Sequence, residues 1–469
     1  MQPSSTSPTH RLTRERIVGI LQAGLIVYIF LRFARIGLRA GFTNDDMFNL
    51  YEAWRKPLLH LLGDNLLFFS SGYRPLGALT YRAIFAIGGL NPLPFHAVVL
   101  GLMLLNLYLI YRAAAAVTTR EIGILTALLL SFSASFVELY YDTGTIFDVL
   151  CFTFYFSAFA LYADVRKQDR WLTRRQLILF LIFYICALNS KEMAVTLPPV
   201  ILLYELVLGR PGSAPQAWVR RWTPLASTIL ITVPYLAGKL SASSPLVGNA
   251  AYRLDIGPQT YFASLAHYLS LLVQVRNVVT SRESIALVVL LLAMAVLARE
   301  RWLLFACFFT LIAPLPILFV PLRGAYVMYI PAFGIALFLA AILILLRDRL
   351  HLRKSWSGPV RAVTFLLCAA VLIRFHGLHP LPPPPAGLIQ PLLVQLAGLR
   401  ARVQVPGRIL FLEDPFGTDE WTPVFVCRLY FHDHNLVADR VKMLTVPPDQ
   451  ASYDVIFNYG PSGYVRARP

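Results

Sequence analysis

Charged residues are scarce in this sequence: Asp, Glu, Lys and Arg make up only 14% of the 469 residues, whereas 57% are hydrophobic. Soluble globular domains carry about 25% charged residues, so the composition excludes that class. The apolar residues come in blocks of roughly 17–25, the length that an α-helix needs to cross a bilayer. The sequence therefore predicts an all-α polytopic membrane protein, because helices satisfy their own backbone hydrogen bonds in lipid.

Cysteine is also rare, with five residues and no Cys-x-x-Cys pair, which argues against a disulfide framework. No repeat of 20–50 residues is apparent. The N-terminal apolar segment lacks a clear small-x-small cleavage site, so we interpret it as a signal anchor and first span. The net charge of +17 does not indicate nucleic-acid binding, because the basic residues lie between apolar blocks, as in cytoplasmic loops.

Charge between the apolar blocks predicts eleven transmembrane helices with a cytoplasmic N-terminus. The predicted spans are 17–38, 94–112, 121–137, 147–164, 175–190, 193–209, 223–241, 284–299, 302–320, 326–346 and 359–375. Segment 75–90 is excluded, since Arg82 at its centre would cost at least about 2.5 kcal/mol in the membrane. Counting it as a span would also move the basic loops 165–175 and 210–222 outside. We therefore predict an interfacial helix at 75–90.

This predicted topology divides the chain into four parts. They are a cytoplasmic tail (1–15), a transmembrane domain (16–375) whose first outer loop (39–93) carries interfacial helices, a proline-rich linker (376–385) and a small extracytoplasmic α/β domain (386–469). Within the last part we predict strands at 408–412 and 454–458 and a helix at 419–431. Short loops and a compact C-terminal part favour a bacterial inner (plasma) membrane, with the C-terminal domain in the periplasm.

Acidic and basic residues are predicted to meet at the outer ends of the helices. The motifs are Asn44-Asp45-Asp46, Tyr73-Arg74-Pro75, Lys191-Glu192 and Arg323. A carboxylate can act as a general base towards an acceptor hydroxyl or amine. Arginine and lysine can hold and stabilise a phosphate leaving group, and apolar helices can receive a lipid tail. The combination predicts transfer of a group from a lipid-linked phosphate.

These motifs resemble the GT-C glycosyltransferases, polytopic enzymes that use polyprenyl- or dolichyl-phosphate sugars. The resemblance covers about residues 15–345 and is strongest to the protein O-mannosyltransferase branch, including its relatives with tetratricopeptide repeats. The matching pieces are Asn44-Asp45-Asp46, Tyr73-Arg74-Pro75-Leu76, Phe95-His96, the segment from Glu138 to Asp148, and Ser190-Lys191-Glu192-Met193-Ala194 with Leu197-Pro198. The chain departs from those relatives in lacking tetratricopeptide repeats. It also has Phe136-Val137-Glu138 and Gly144-Thr145 where they often show His-x-Glu and Gly-Arg.

The resemblance implies a GT-C-like architecture and a catalytic base in the first outer loop. That base would be Asp45, with Asp46 as the alternative. The family typically inverts the anomeric centre, and several members need no metal, so neither a cofactor nor a bound metal is expected. The loop triplet His432-Asp433-His434 is interpreted as solvated rather than metal-binding, because no further ligand accompanies it.

The resemblance also implies substrate-binding residues. Arg74 matches the position of a basic residue near the lipid phosphate, and Asp148, with Glu138 from the same loop, would shape the donor or acceptor site. Lys191 with its neighbour Glu192, and Arg323, would supply further contacts.

The sequence thus predicts transfer of a sugar, with mannose as the candidate that the resemblance implies, to a protein, lipid or glycan acceptor at the extracytoplasmic face. The predicted partners are membrane lipid, the polyprenyl-phosphate sugar and an unidentified acceptor, without nucleic acid. An alternative is a transporter or flippase of lipid-linked sugars, although such proteins favour acids at mid-membrane and inverted repeats. A further alternative is a membrane scaffold that presents the C-terminal domain.

Overall fold

A computed structural model describes residues 8–70, 72–210, 215–241, 250–272, 279–350, 357–384, 387–400, 407–460 and 463–468. Parts of the predicted tail 1–15 and linker 376–385 lie outside these ranges. The described chain is mostly helical and ends in a small sheet.

Nineteen α-helices are present in the described part of the chain. They are α1 (Pro8–Ala34), α2 (Asn44–Arg55), α3 (Leu58–Leu66), α4 (Pro75–Gly88), α5 (Pro92–Val117), α6 (Arg120–Leu129), α7 (Val137–Tyr141), α8 (Ile146–Lys167), α9 (Arg174–Ser190), α10 (Leu197–Val207), α11 (Pro215–Lys239), α12 (Pro258–Leu272), α13 (Ser281–Ala298), α14 (Arg301–Ile312), α15 (Leu315–Leu318), α16 (Ala332–Arg349), α17 (Ser357–Leu378), α18 (Ile389–Arg400) and α19 (Thr422–Phe431).

Among the residues that the structure describes, six helical segments are long and apolar enough to cross a membrane. They are Arg16–Arg39, Pro92–Val117, Thr143–Lys167, Ser281–Ala298, Arg301–Leu318 and Pro359–Leu378. A seventh is added if α6 and the helical turns Ala134–Tyr141, which are bent by 57° relative to each other, form one broken span. At the break the Ser131 hydroxyl donates to the Leu128 carbonyl, a local hydrogen bond that competes with the helical ladder. The membrane character predicted from composition is therefore confirmed.

The other predicted spans also form helices, but length or charge sets them apart. Helix α9 has 17 residues and α10 has 11, while α16 ends in Arg347, Asp348 and Arg349 and α11 carries Arg220 and Arg221 near its start. The structure thus shows six or seven apolar helices of spanning length, which is a coarser result than the eleven spans predicted.

The first outer loop is built from α2, α3 and α4. Thr43 begins α2 with a capping box, in which its hydroxyl accepts from the Asp46 amide and the Asp46 carboxylate accepts from the Thr43 amide. The segment predicted to be interfacial forms the 14-residue helix α4, about 21 Å long and too short to span. Arg82 of α4 donates to the Lys56 carbonyl, where it satisfies the C-terminal end of α2.

The C-terminal domain contains a four-stranded sheet with the order β2-β1-β3-β4. The strands are β1 (Arg408–Phe411), β2 (Val437–Arg440), β3 (Val455–Gly460) and β4 (Gly463–Arg468). Strand β1 runs parallel to β2 and β3, and β4 pairs antiparallel with β3. The predicted strands 408–412 and 454–458 are thus confirmed, and the predicted helix 419–431 begins three residues later, as α19. Helix α17 extends to Leu378, so the linker begins later than the predicted residue 376.

The C-terminal domain packs against α2. The rings of Tyr51 and Phe425 stack with centroids 4.6 Å apart, and Trp54 stacks on His434 at 3.6 Å. Arg428 donates to the Tyr51 hydroxyl over 2.8 Å. His434 is exposed, as the interpretation of a solvated loop predicts, and one face of its ring also contributes to this interface.

Candidate active site

A cavity of about 440 Å³ opens beside α2, at the N-terminal end of α8. Five of the eight predicted site residues line it: Asp45, Arg74, Asp148, Lys191 and Arg323. They come from five separate segments of the chain. These predicted acids and bases therefore do converge in the folded chain.

Asp45 stands in the first turn of α2, with its side chain exposed at the mouth of this cavity. Partial desolvation raises the pKa of its carboxyl group, the neighbouring Asp46 raises it further, and Arg323 opposes both effects. A carboxylate of raised pKa is a stronger base than ordinary aspartate and remains accessible to a ligand.

Asp46 has a different role, because its side chain is fully buried beneath α2. It accepts hydrogen bonds from the Thr43 amide at 2.8 Å, the Thr143 hydroxyl at 2.6 Å and the Tyr81 hydroxyl at 3.1 Å. It does not line the cavity. The geometry therefore favours Asp45 over Asp46 as the residue that can meet a substrate.

Arg74 is held in place by Glu192. Its Nη2 and Nε atoms donate to the two carboxylate oxygens at 2.9 and 3.3 Å, and Nη2 also donates to the Tyr252 hydroxyl at 3.2 Å. Burial would raise the pKa of Glu192, but the charge and hydrogen bonds of Arg74 lower it to about 2. The backbone of Arg74 is left-handed, with φ of 44°, a strained conformation of the kind found at functional sites. Glu192 lies behind Arg74 rather than on the cavity wall.

Lys191 and Asp148 form a second buried ion pair, with Nζ 2.5 Å from Oδ1. Burial lowers the pKa of the Lys191 ammonium group, and Asp148 opposes this shift. The ammonium also lies 5.1 Å from the ring centroid of Tyr326, on the cavity wall. Asp148 thus orients the ammonium group of Lys191 and also lines the cavity.

Arg323 approaches the cavity from the loop before α16. Its guanidinium carbon lies 4.6 Å above the ring centroid of Tyr252, and its backbone amide donates to the Tyr268 hydroxyl. Glu138 packs behind this loop, outside the cavity: a Cβ on Gly324 would come within 2.2 Å of Glu138 Oε1. The absence of a side chain at Gly324 allows that close approach, so Glu138 supports the loop that carries Arg323.

Asp142 is an acid of the cavity that was not included among the predicted site residues. Burial, reinforced by Asp46, raises the pKa of its carboxyl group to about 8. Its Oδ1 accepts from the Gly144 amide at 2.8 Å and from the Thr43 hydroxyl at 3.0 Å, which ties the second outer loop to the start of α2. In the sequence, the feature that could have identified Asp142 as a site residue is its position in the same short loop as Glu138.

Tyrosines form much of the remaining wall, namely Tyr73, Tyr252 and Tyr326. Tyr73 belongs to the motif Tyr73-Arg74-Pro75, whereas nothing in the sequence distinguished Tyr252 and Tyr326, because aromatic residues make up 13% of the chain. Within the described ranges, no group of three or more His, Cys, Asp and Glu side chains is placed to hold a metal ion.

No family model and no curated protein matches the chain.

Proposed function

We propose that the protein is a membrane glycosyltransferase that moves a sugar from a polyprenyl-phosphate donor to an acceptor at the extracytoplasmic face. The observation that carries this proposal is a single cavity where the exposed carboxylate of Asp45 faces Arg74, Lys191 and Arg323. A base and a set of cations are the two groups that displacement of a phosphate requires.

Arg74 is suited to bind the phosphate. Its contacts with Glu192 and Tyr252 use Nε and Nη2, which leaves the two N–H groups of Nη1 for a phosphate oxygen. Because Glu192 fixes the guanidinium, little side-chain entropy is lost on binding. Arg323, on the same wall, supplies a second positive charge.

The chemistry is a single displacement at the anomeric carbon. Asp45 removes the proton of an acceptor hydroxyl or amine, and the freed electron pair attacks the anomeric carbon. The bond between that carbon and the phosphate oxygen breaks, and polyprenyl phosphate leaves with the bonding electrons, stabilised by Arg74 and Arg323. One displacement inverts the anomeric configuration. The resemblance to mannosyltransferases makes mannose the sugar to test first.

The composition of the cavity also supports eleven spans. Asp45 precedes the second span, and Lys191 reaches the same side only if α9 crosses the membrane in addition to the seven spans described above. Arg323 then lies on this side when α10 and α11 cross as a pair, as they do in the arrangement with eleven spans. With seven spans Lys191 and Arg323 would face the opposite side from Asp45, yet all three line one cavity. The length of α11, 25 residues or about 37 Å, is sufficient to cross.

The proposal is tested with the full chain in proteoliposomes supplied with polyprenyl-phosphate mannose labelled in its lipid, with a total membrane fraction as acceptor. We expect release of free polyprenyl phosphate, and we expect Asp45→Asn to reduce its rate by about 10²-fold or more, since general-base catalysis contributes about 10²–10⁴. Asp255→Asn is the matched control, because Asp255 is exposed and lies outside the cavity.

Two results would count against the proposal. If the wild-type protein moves the labelled lipid across the bilayer without releasing polyprenyl phosphate, it is a flippase. If Asp45→Asn retains full transfer while folding like the wild type, Asp45 is not the base.

A further inference from the structure

A second pocket lies at the other end of α8 and α9 from the candidate active site. Its volume is about 560 Å³, and its lining residues are Asp169, Arg170, Trp171, Leu172, Thr173, Arg174 and Arg220. Helix α8 separates the two pockets by its 22 residues, or about 33 Å. The positive-inside rule assigns this end of the helices to the cytoplasm. We call it the basic pocket.

Three arginines of the basic pocket differ from the ion-paired arginines at this end of the molecule. The ion pairs at this end of the molecule are Arg112–Asp164, Arg166–Glu205, Arg221–Glu205, Arg210–Asp169 and Arg347–Glu121. By contrast, Arg170, Arg174 and Arg220 are exposed and have no acidic partner within 4 Å in the described part of the chain. Three uncompensated positive charges from two separate segments therefore share one pocket.

The loop that carries Arg170 is held in a defined shape. The Arg170 amide donates to the Val165 carbonyl at 3.3 Å, and its own carbonyl accepts from Arg166 at 3.1 Å. Arg166 is in turn anchored by the fully buried Glu205 at 2.7 Å. The acidic residue that lines the pocket, Asp169, is already paired with Arg210 at 2.9 Å. It therefore neutralises little of the positive charge of the three unpaired pocket arginines. The basic pocket is thus formed before any ligand arrives.

The start of α9 adds further features that suit an anion at a membrane surface. Thr173 caps α9, so the positive end of the helix dipole points to the pocket. Trp171, whose ring centroid lies 3.9 Å from the Arg166 guanidinium carbon, is the residue type enriched where headgroups meet hydrocarbon.

An apolar surface continues from the basic pocket into the membrane region. Ile178 and Ile182 are each 50% exposed and stand one and two turns beyond Arg174 on the same face of α9. A free phosphate would use only the arginines, whereas a phospholipid would use the arginines for its headgroup and these isoleucines for its acyl chains. The continuity of charge and apolar surface favours the lipid.

We propose that the basic pocket binds the phosphate of an anionic phospholipid from the leaflet that faces the basic loops. This site is independent of the proposed transferase reaction. Basic pockets between transmembrane helices on the cytoplasmic side are a recognised way of holding such headgroups.

The test uses native mass spectrometry of the full chain released from detergent containing phosphatidylglycerol or phosphatidylcholine. The variant is Arg170→Gln/Arg174→Gln/Arg220→Gln. The matched control is Arg299→Gln/Arg301→Gln/Arg349→Gln, which removes the same charge from exposed positions outside the pocket. We expect retained phosphatidylglycerol to fall about tenfold or more in the pocket variant only, since each arginine near an anionic surface contributes to binding.

Three outcomes would overturn the inference. Equal losses in both triple variants would mean attraction by overall charge, without a site. Equal retention of phosphatidylcholine would mean that the headgroup charge is not recognised. Displacement of the lipid by millimolar glycerol phosphate would mean that the pocket holds soluble phosphates, with no preference for lipid.

Discussion

Asp45 and Asp46 are adjacent in sequence, yet the fold gives them opposite environments. Asp45 faces the cavity, whereas Asp46 is buried with three hydrogen-bond donors around it. The first turn of α2 separates them, since successive residues point about 100° apart around a helix. A sequence motif of two acids therefore contains one group available for chemistry and one that holds the loop together.

Replacing Asp46 should reduce stability more than replacing Asp45. In Asp46→Ala the buried hydroxyls of Tyr81 and Thr143 lose their acceptor, at a cost of about 1–3 kcal/mol for each unsatisfied group. We expect the free energy of unfolding, measured in mixed detergent micelles, to fall by that order. Asp45→Asn should change it by less than about 0.5 kcal/mol, as for other surface substitutions. Equal losses would mean that Asp46 is not a structural residue.

The acid limb of the pH–rate profile should report on Asp45. A base works when ionised, so activity should rise as pH increases through its pKa, which lies above the ordinary aspartate value. Glu420 of the C-terminal domain contributes to raising that pKa. In Glu420→Gln the negative charge is lost, the pKa of Asp45 falls, and the acid limb should move to lower pH. Glu413→Gln is the control, because Glu413 is exposed and does not contribute to the pKa of Asp45; an equal shift there would exclude the assignment.

At the scale of elements, the sequence predicted which segments are helical better than it predicted the rotation of each helix about its own axis. The distribution of charge predicted that segment 75–90 is a helix that does not span, and the structure shows a 14-residue helix there, α4. Glu138 and Glu192 were predicted at the correct end of the helices, but both lie behind the residues that line the cavity. The positive-inside rule indicates the side of the membrane; the rotation of a helix depends on packing, which a single sequence does not reveal.

Helix α19 and the neighbouring loop should stabilise α2 through the stack of Trp54 on His434. An aromatic pair of this kind contributes about 0.5–1.5 kcal/mol beyond its buried area. We expect Trp54→Ala to loosen the C-terminal domain and to increase its release by limited proteolysis within residues 379–388. Trp421→Ala, at a residue 52% exposed, is the control and should leave the digestion rate near wild type. An unchanged digestion rate in Trp54→Ala would show that the stack does not hold the domain.

At the scale of the whole molecule, the number of spans determines which loops share a side. Eleven and seven spans both place the N-terminal tail and the C-terminal domain on opposite sides. They differ for Asp255 and Arg301: with eleven spans Asp255 is outside and Arg301 inside, and with seven spans the positions are reversed. Seven spans would separate Asp45 from Lys191 and Arg323, which line one cavity, and we therefore propose eleven.

Labelling of single introduced cysteines separates the two arrangements. We expect a membrane-impermeant maleimide added to intact cells to modify Asp255→Cys and Asp419→Cys, and to modify Arg301→Cys only after the membrane is opened. The wild-type chain provides the background, because its five cysteines are buried or partly buried. Labelling of Arg301→Cys in intact cells would exclude the eleven-span arrangement.

The contact between α2 and the C-terminal domain also has a consequence for biosynthesis. Asn44 accepts a hydrogen bond from Thr422, a partner 378 residues later in the chain. Because Thr422 is synthesised 378 residues after Asn44, α2 has no partner there while most of the membrane helices are being made. A nascent chain that stalls before this point therefore lacks both Glu420, which tunes Asp45, and the helix that packs on α2. The order of synthesis thus delays completion of the site until the C-terminal domain has been made.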